Sequence, residues 1–376
     1  MEHLFKDLTL KSCHLTSVHR RDDVRIFYKE CISLNQAGFE VELVVADGKG
    51  NAQKEGIAIY DAGIKESSKR LSRMIKTVWM IYRQTLGLDA DIFHFHDSEL
   101  IPLGLLLKWR GKKVIYDVHE DLPRQISSKY YLPESIRPLL SKFAEFIENC
   151  SAGCFSAISA ATPHIRDRFL KFNAHTVDVN NFPRLDNLSF ADLPWKERQR
   201  KICYIGGISE NRGILELVDA LSAIDATLDL AGDFYPISLK KKLTGRPGWK
   251  KTNELGFLNR EEIKGVLASC KVGIVTLYPT DSYMHSLPVK MFEYMAAGIP
   301  VVASSFPLWR DIIEKYECGC CVNPHDYQEI AKAVKRLLDD DALAQKMGEN
   351  GRRAVEKYFN WENESKKMLE LYKAML

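Results

Sequence analysis

Apolar positions recur along the chain in two patterns. Cys13–Val18, Glu40–Ala46, Ile57–Tyr60, Ile92–His96, Val114–Val118 and Cys154–Ile158 are short apolar or alternating runs that read as strands. Residues 23–37, 67–86, 98–109 and 134–150 carry helical spacing between them, the first stopping at Gly38. The same alternation restarts after residue 200. Ile202–Ile205, Thr227–Ala231, Val272–Leu277 and Pro300–Ala303 read as strands; Gly213–Ala223, Pro288–Ala297, 326–338, 340–356 and 361–375 read as helices. Strands alternating with helices predict an α/β fold whose parallel sheets are covered on both faces. The pattern breaks at Asn180–Arg184, and residues 185–200, with Pro194, read as a linker. The expected organisation is therefore a Rossmann-like domain over 1–184 and a second over 201–356. A C-terminal helix, 357–376, is expected to pack back on the first. In such sheets ligands bind beyond the carboxyl ends of the strands, which predicts a site in a cleft between the domains.

Composition narrows the choice of partners. Lys+Arg 53 against Asp+Glu 50 gives a formal net charge of +3, too balanced for a nucleic-acid partner held by bulk charge. No apolar stretch approaches the ~20 residues that span a bilayer, and the first twenty residues lack a signal-peptide core, so a cytoplasmic protein is expected. Nine cysteines form no zinc pattern; Cys318-Gly-Cys-Cys321 runs into Val322 like a short strand, with no second ligand pair nearby.

Three segments of the second half carry candidate chemistry. Gly206-Gly207-Ile-Ser-Glu-Asn-Arg212-Gly213 joins a strand to a helix, an arrangement that offers backbone N–H groups, a helix dipole and a guanidinium to a phosphate. It lacks the Gly-Lys-Ser/Thr ending of a Walker loop, and no Gly-x-Gly-x-x-Gly follows the first strand, so an ATPase or a dehydrogenase is disfavoured. In Ser286-Leu287-Pro-Val-Lys290-Met-Phe-Glu293, Pro288 suits the first helical turn and Gly298 the stop. Lys290 and Glu293 then share a face, either as a surface ion pair or with the lysine on a phosphate and the carboxylate on a ribose.

The run Lys290-Met-Phe-Glu293-Tyr-Met-Ala-Ala-Gly298-Ile-Pro300-Val-Val, after Gly206-Gly207…Arg212-Gly213, resembles glycosyltransferase family 4 of the GT-B fold. The resemblance implies two Rossmann-like domains with parallel sheets facing a central cleft. It also implies a metal-independent, retaining transfer from a nucleoside diphosphate sugar, UDP- or GDP-linked, with no other cofactor. In the family the second glutamate of a Glu-x7-Glu motif contacts the ribose and matches Glu293; the first position holds His285. Gly207 stands where the family often has arginine. Leu255-Gly256-Phe257 is similar to the loop that reads the base. The implied donor set is Gly206, Gly207, Arg212, Gly256, Phe257, His285, Ser286, Leu287, Lys290 and Glu293.

The first half resembles the branch that assembles bacterial surface polysaccharide, through Thr16-Ser-Val-His19…Asp22-Asp23-Val-Arg25-Ile-Phe-Tyr-Lys29-Glu30, His94-Phe-His96-Asp97-Ser-Glu99 and Tyr116-Asp117-Val-His119-Glu120-Asp121. The acceptor implied is a glycan or glycolipid. A histidine placed like His119, at a strand end, lies beside the transferred sugar in the family and is the expected catalytic residue. His19, Arg25, His96, Asp97, Asp117 and Glu120 are expected to line the cleft or touch the acceptor. Residue by residue, Asp22 reads as a helix N-cap, and Asp97 and Glu99 as caps of the following helix. His94 and His96 alternate to one side, without a further ligand that the sequence can place, so no metal is expected. Asp89-Ala-Asp91 falls at the wrong end of its strand for a metal site. Two alternatives stay open: another GT-B enzyme, a nucleotide-sugar 2-epimerase, or, raised by His285 and Gly207, a non-catalytic nucleotide-binding subunit of a transferase complex.

Helix 69–84 places Leu71, Met74, Ile75, Val78, Trp79 and Tyr82 on one stripe, expected to pack on the sheet. Lys69, Arg70, Arg73, Lys76 and Arg83 lie on the other side. With Lys108-Trp-Arg110-Gly-Lys112-Lys113, that cationic face suits an anionic membrane surface and a peripheral location.

Overall fold

A computed structural model describes residues 10–63, 70–127, 132–186 and 194–375. It divides into two compact units, Met1–Asn181 with Asn363–Leu376, and Phe182–Glu362.

Unit 1 is built on strands β1 (Lys11–Leu15), β2 (Glu40–Val45), β3 (Ala52–Lys54), β4 (Ile57–Asp61), β5 (Ile92–Phe95), β6 (Lys113–Val118), β7 (Ala157–Ala160) and β8 (Thr176–Asp178). Their order is β3-β4-β2-β1-β5-β6-β7-β8, parallel throughout except for the edge strand β3. The connection order reverses between β1 and β5, opening a crevice where those strands end. Strand alternation sorts the side chains. Cys13, Leu15, Phe93, Phe95, Tyr116 and Val118 turn to an apolar cluster under helix Ile101–Trp109. The intervening His14, His94, His96 and Asp117 turn to the other face, which makes it polar although fully covered.

Three boundaries in unit 1 differ from the sequence reading, two because a polar side chain intervenes and one because a helix runs on. The first strand ends at Leu15 rather than Val18, because Asp97 Oδ2 accepts from Thr16 Oγ1 (2.7 Å), Ser17 N (2.7 Å) and Val18 N (3.2 Å) and turns the chain into a loop. Asp97 thus ties down this loop and does not cap its helix with a side-chain bond. The first helix is a π-turn at Ile26–Cys31 continuing as Ile32–Gln36. Asp23, not Asp22, accepts from the opening N–H groups of Arg25 (2.8 Å) and Ile26 (3.0 Å), while Asp22 pairs with Arg20. The strand expected at Cys154–Ile158 is Ala157–Ala160, because helix Arg137–Ala152 runs further than its apolar pattern suggested.

In helix Arg70–Thr85, Thr77, Ile81 and Thr85 are buried, whereas Ile75 (64% exposed) and Trp79 (54% exposed) face solvent. The expected stripe is therefore rotated. Lys69 lies outside the described residues. Asp89 pairs with Lys112. Helix Trp361–Ala374 runs largely within unit 1, where Tyr372 is completely buried. Among the described residues, no helix is long and apolar enough to cross a membrane.

Unit 2 contains β9 (Lys201–Ile205), β10 (Thr227–Ala231), β11 (Thr252–Gly256), β12 (Val272–Val275), β13 (Val301–Ser304) and β14 (Gly319–Val322). All are parallel, in the order β11-β10-β9-β12-β13-β14, with the reversal between β9 and β12. Separate apolar clusters cover its two faces, one around Met291, Phe292 and Trp309, the other around Leu217, Leu230 and Val334. Cys318-Gly-Cys-Cys321 feeds β14, and all three thiols are free. Residues 194–200, read as linker, are anchored in this unit. Buried Arg198 donates to the carbonyls of Leu267, Cys270 and Ala297 at 2.9 Å each.

The loop after β9 depends on one glycine. Gly213 has φ +66, and a Cβ there would lie 2.0 Å from the Thr276 carbonyl oxygen. Gly213→Ala should lower stability by about 2 kcal/mol or more, from the left-handed backbone plus the clash. A melting midpoint unchanged from the parent would contradict this packing.

Candidate functional site

In unit 2, β9 delivers Gly206 and Gly207 into a turn that two cations cover. Gly206 (φ +129) adopts a conformation that side chains rarely take, and the Cβ it lacks would stand 3.1 Å from Lys290 Nζ. The corresponding position on Gly207 is 3.4 Å from Arg212 Nη1. Arg212 Nη1 donates to the Gly207 carbonyl (3.3 Å), as does the Tyr204 hydroxyl (2.8 Å). Lys290 reaches the turn from the first residues of helix Val289–Ala296. Its ammonium lies 3.8 Å from the centre of the Tyr204 ring, is buried from solvent, and has no hydrogen-bond partner among the described residues. Burial, then the Arg212 charge, pushes Lys290 well below the ordinary lysine range. An unpaired buried cation beside a guanidinium is unfavourable unless an anion completes the set.

The structure therefore brings Gly206, Gly207, Arg212 and Lys290 together. Glu293, on the same helix, pairs with Arg260 at 3.2 Å. Arg260 was not among the sequence candidates; its only signal was the position after Asn259, which caps helix Arg260–Ser269. Gly256 (φ +68) gives its carbonyl to Gly232 N at 2.7 Å, and Phe257 is 78% exposed beside it. His285 is exposed at the end of helix Asp281–Met284. The Ser286 hydroxyl is turned inward, donating to the Tyr283 carbonyl (2.9 Å), and its own carbonyl accepts from Trp309 Nε1 (2.7 Å). Leu287 packs against the apolar cluster.

In unit 1 a cavity of about 650 Å³ opens where β1, β5 and β6 end, lined by His19, Arg25, His96, Asp97, His119 and Glu120 among others. His119 Nε2 donates to Asp117 Oδ2 at 2.7 Å, which fixes that tautomer. His19 stands 3.1 Å from Asp97 Oδ1; burial would lower this histidine, but the Asp97 hydrogen bond and charge prevail and raise it. Arg25 departs from the expectation of a substrate contact. Its guanidinium is spent on Asp117 (2.8 and 3.2 Å), Glu30 (3.0 Å) and the Val179 carbonyl (2.9 Å). Asp117 is likewise completely buried, so it orients His119 rather than touching a ligand. Burial alone would raise the Asp117 carboxyl, yet the charges of Arg25 and His119 hold it well below the usual range.

Behind His119 lies a polar network that the sequence reading missed. His96 Nδ1 is 3.1 Å from Asp117 Oδ2, and His96 Nε2 is 2.9 Å from His14 Nδ1. Tyr372 Oη is 3.3 Å from His14 Nε2 and 2.8 Å from His94 Nδ1. Burial lowers all three imidazoles, His96 to about 3, so each is neutral. The period-two alternation of the strands was the available signal for His14; Glu30 stood in the resembling run of the first half without a role assigned, and Tyr372 had no signal.

Comparison with known proteins agrees with this architecture. Residues 25–180 match the profile of Glycosyltransferase Family 4, and residues 186–354 match that of Glycosyl transferases group 1. The chain is 24% identical over 302 residues, 77% of its length and 72% of the relative's, to an MMP alpha-(1->4)-mannosyltransferase of Mycolicibacterium hassiacum. Sucrose-phosphate synthase from Thermosynechococcus elongatus superposes with a TM-score of 0.76 at 17% identity, covering 97% of this chain and 99% of that one. Anabaena Alr3699/HepE, in complex with UDP and glucose, gives 0.71 at 14% identity over 97% and 100%.

Lys290→Met should relieve the buried charge and raise stability by about 1–2 kcal/mol. A thermal melt of the ligand-free variant checks this, and a lower midpoint than the parent would show that the ammonium is satisfied in the free protein.

Proposed function

Because the chain belongs to glycosyltransferase family 4 and has the GT-B fold, we propose that it moves a sugar from a UDP- or GDP-linked donor to a glycan or lipid-linked acceptor, with retention of configuration, in surface-polysaccharide assembly. The observation that carries the donor half is the buried, unpartnered Lys290 ammonium over Gly206-Gly207. A diphosphate supplies the anion that Lys290 and Arg212 lack. Glu293, with Arg260 beside it, accepts from the ribose hydroxyls, and the Gly256-Phe257 turn meets the base. Two fixed cations meet the charge that grows on the leaving diphosphate, so this step needs no metal; preorganised donors of this kind lower a barrier by several kcal/mol. The cavity of unit 1 takes the acceptor, with His119 as the catalytic residue and Asp117 as its positioning residue. The mannosyltransferase relative makes mannosyl donors the first to test.

The peripheral location rests on unit 1. Ile75 and Trp79 are exposed on the same helix as exposed Lys76 and Arg83, and helix Arg137–Ala152 exposes Leu139, Phe143 and Phe146. Apolar and basic groups together suit an anionic interface. Sedimentation with anionic vesicles at low salt should carry the protein down; neutral vesicles should not.

Glu293→Ala should weaken donor binding about tenfold, near 1.4 kcal/mol. His119→Ala should lower turnover by about 10²-fold or more with donor affinity retained. Assays run with and without acceptor distinguish transfer from epimerisation, and parent rates in both variants would refute the assignment. Donor binding should also take up protons: Lys290 is depressed in the free site, an anion raises it, and at pH values between the two states the lysine gains a proton. Calorimetry in buffers of different ionisation enthalpy reads this uptake, which Lys290→Met should abolish.

A further inference from the structure

The histidine network in unit 1 gathers four buried groups, each with a ligand-type atom, within 4.8 Å of one another. Its proton pattern follows from its one fixed end. Asp117, held ionised by Arg25, can only accept, so His96 carries its proton on Nδ1 and offers a bare Nε2. His14 Nδ1 must then donate to His96 Nε2 (2.9 Å), leaving His14 Nε2 to accept from the Tyr372 hydroxyl (3.3 Å). With its proton so used, Tyr372 Oη accepts from His94 Nδ1 (2.8 Å), and His94 Nε2 is left as a lone pair. Among the described residues no donor reaches it: His94 Nε2 is buried without a hydrogen-bond partner, and the oxygens of Glu30 are buried with only the Arg25 ion pair beside them. Within one fully buried pocket of the fold, an imidazole lone pair thus lacks a donor, and Glu30 meets only the Arg25 Nε (3.0 Å) of a guanidinium whose single positive charge it shares with Asp117.

We propose that His14, His94, His96 and Glu30 form a binding site for a divalent first-row transition cation of the zinc type. Each offers one ligand atom, and these four atoms lie within 4.8 Å of one another. Three imidazole nitrogens and one carboxylate are a donor set that suits zinc. Binding needs only one internal proton shift, from His14 Nδ1 to Nε2. Tyr372 Oη then accepts from both His14 Nε2–H and His94 Nδ1–H, and its own hydroxyl donates to Ser12 Oγ, 3.2 Å away. His96 keeps Nδ1–H on Asp117. Every second ring nitrogen is then held by a hydroxyl or carboxylate, the outer arrangement that metal-bound histidines use. The second possible grouping, Glu30, His96, Asp117 and His119, shares Glu30 and His96 with the first. Its Asp117 is already satisfied by Arg25 and His119, so the first grouping is the site. His96 also lines the cavity, which provides the path of entry. The cation sits behind His119 in unit 1, plays no part in holding a diphosphate, and stiffens the wall that carries His119 through His96 and Asp117.

The test uses full-length protein without a histidine tag, stripped by chelator and titrated with zinc against a chromophoric competitor, and separately with cobalt(II). One equivalent should bind, the thermal midpoint should rise, and cobalt should develop the visible bands of a four-coordinate site. X-ray absorption at the zinc edge should show nitrogen and oxygen neighbours with imidazole outer-shell scattering. His94→Phe and Glu30→Gln should each lose the tight equivalent, and Tyr372→Phe should weaken it about 10–100-fold. If His94→Phe does not fold, Glu30→Gln and Tyr372→Phe decide. Failure to take up a stoichiometric ion, sulfur neighbours from the cysteines, or unchanged affinity in Glu30→Gln would overturn the proposal. None of these readouts depends on sugar transfer, so they stand apart from the assignment of activity.

Discussion

A lysine ammonium removed from water without a partner is a cost that a stable fold does not keep by accident. Lys290 is held in that state by the Tyr204 ring on one side and the Gly206–Gly207 backbone on the other. The surrounding geometry follows from that placement. The φ of +129 at position 206 calls for glycine and keeps the backbone close to the ammonium, and only glycine at 213 lets the next helix begin against the Thr276 carbonyl. Arg212 is delivered by the same turn. The second unit thus trades stability for a site whose cationic groups are positioned in advance, the arrangement that favours an incoming diphosphate over water.

Unit 1 solves a different problem. Its central strands carry histidines and an aspartate on a face covered by two helices, where unpaired polar groups are costly. Asp117 organises them. Because it is ionised and paired with Arg25, it orients His119 toward one nitrogen choice and sets the tautomers of His96 and His14 behind it. The same carboxylate therefore links the cavity wall to the buried cluster that ends at Tyr372 of the C-terminal helix.

Much of this was legible in the sequence, for identifiable reasons. Period-two and helical spacing gave the alternation of strands and helices, and the Gly206–Gly213 turn and the Lys290 helix announced themselves by residue type. Short-range side-chain capture was not legible. Asp97 ends the first strand early through bonds to residues some eighty positions away. Arg25 reads as a cation near the site, but only the folded chain shows its guanidinium consumed by Asp117 and Glu30. The C-terminal end of helix 70–85 was readable, while its facing was not, because Thr77 and Thr85 rather than Ile75 and Trp79 are buried. The histidine cluster draws on four separate stretches of chain, so no local motif could reveal it.

The account stands or falls on what the Lys290 pocket holds. Its most direct test is the equilibrium affinity of the parent for a nucleoside, its monophosphate and its diphosphate, measured side by side. The account predicts that affinity climbs steeply with the second phosphate, by at least about tenfold, and that this step disappears when Lys290 is replaced by methionine. A nucleoside bound as tightly as its diphosphate, or a diphosphate preference that survives without Lys290, would contradict it.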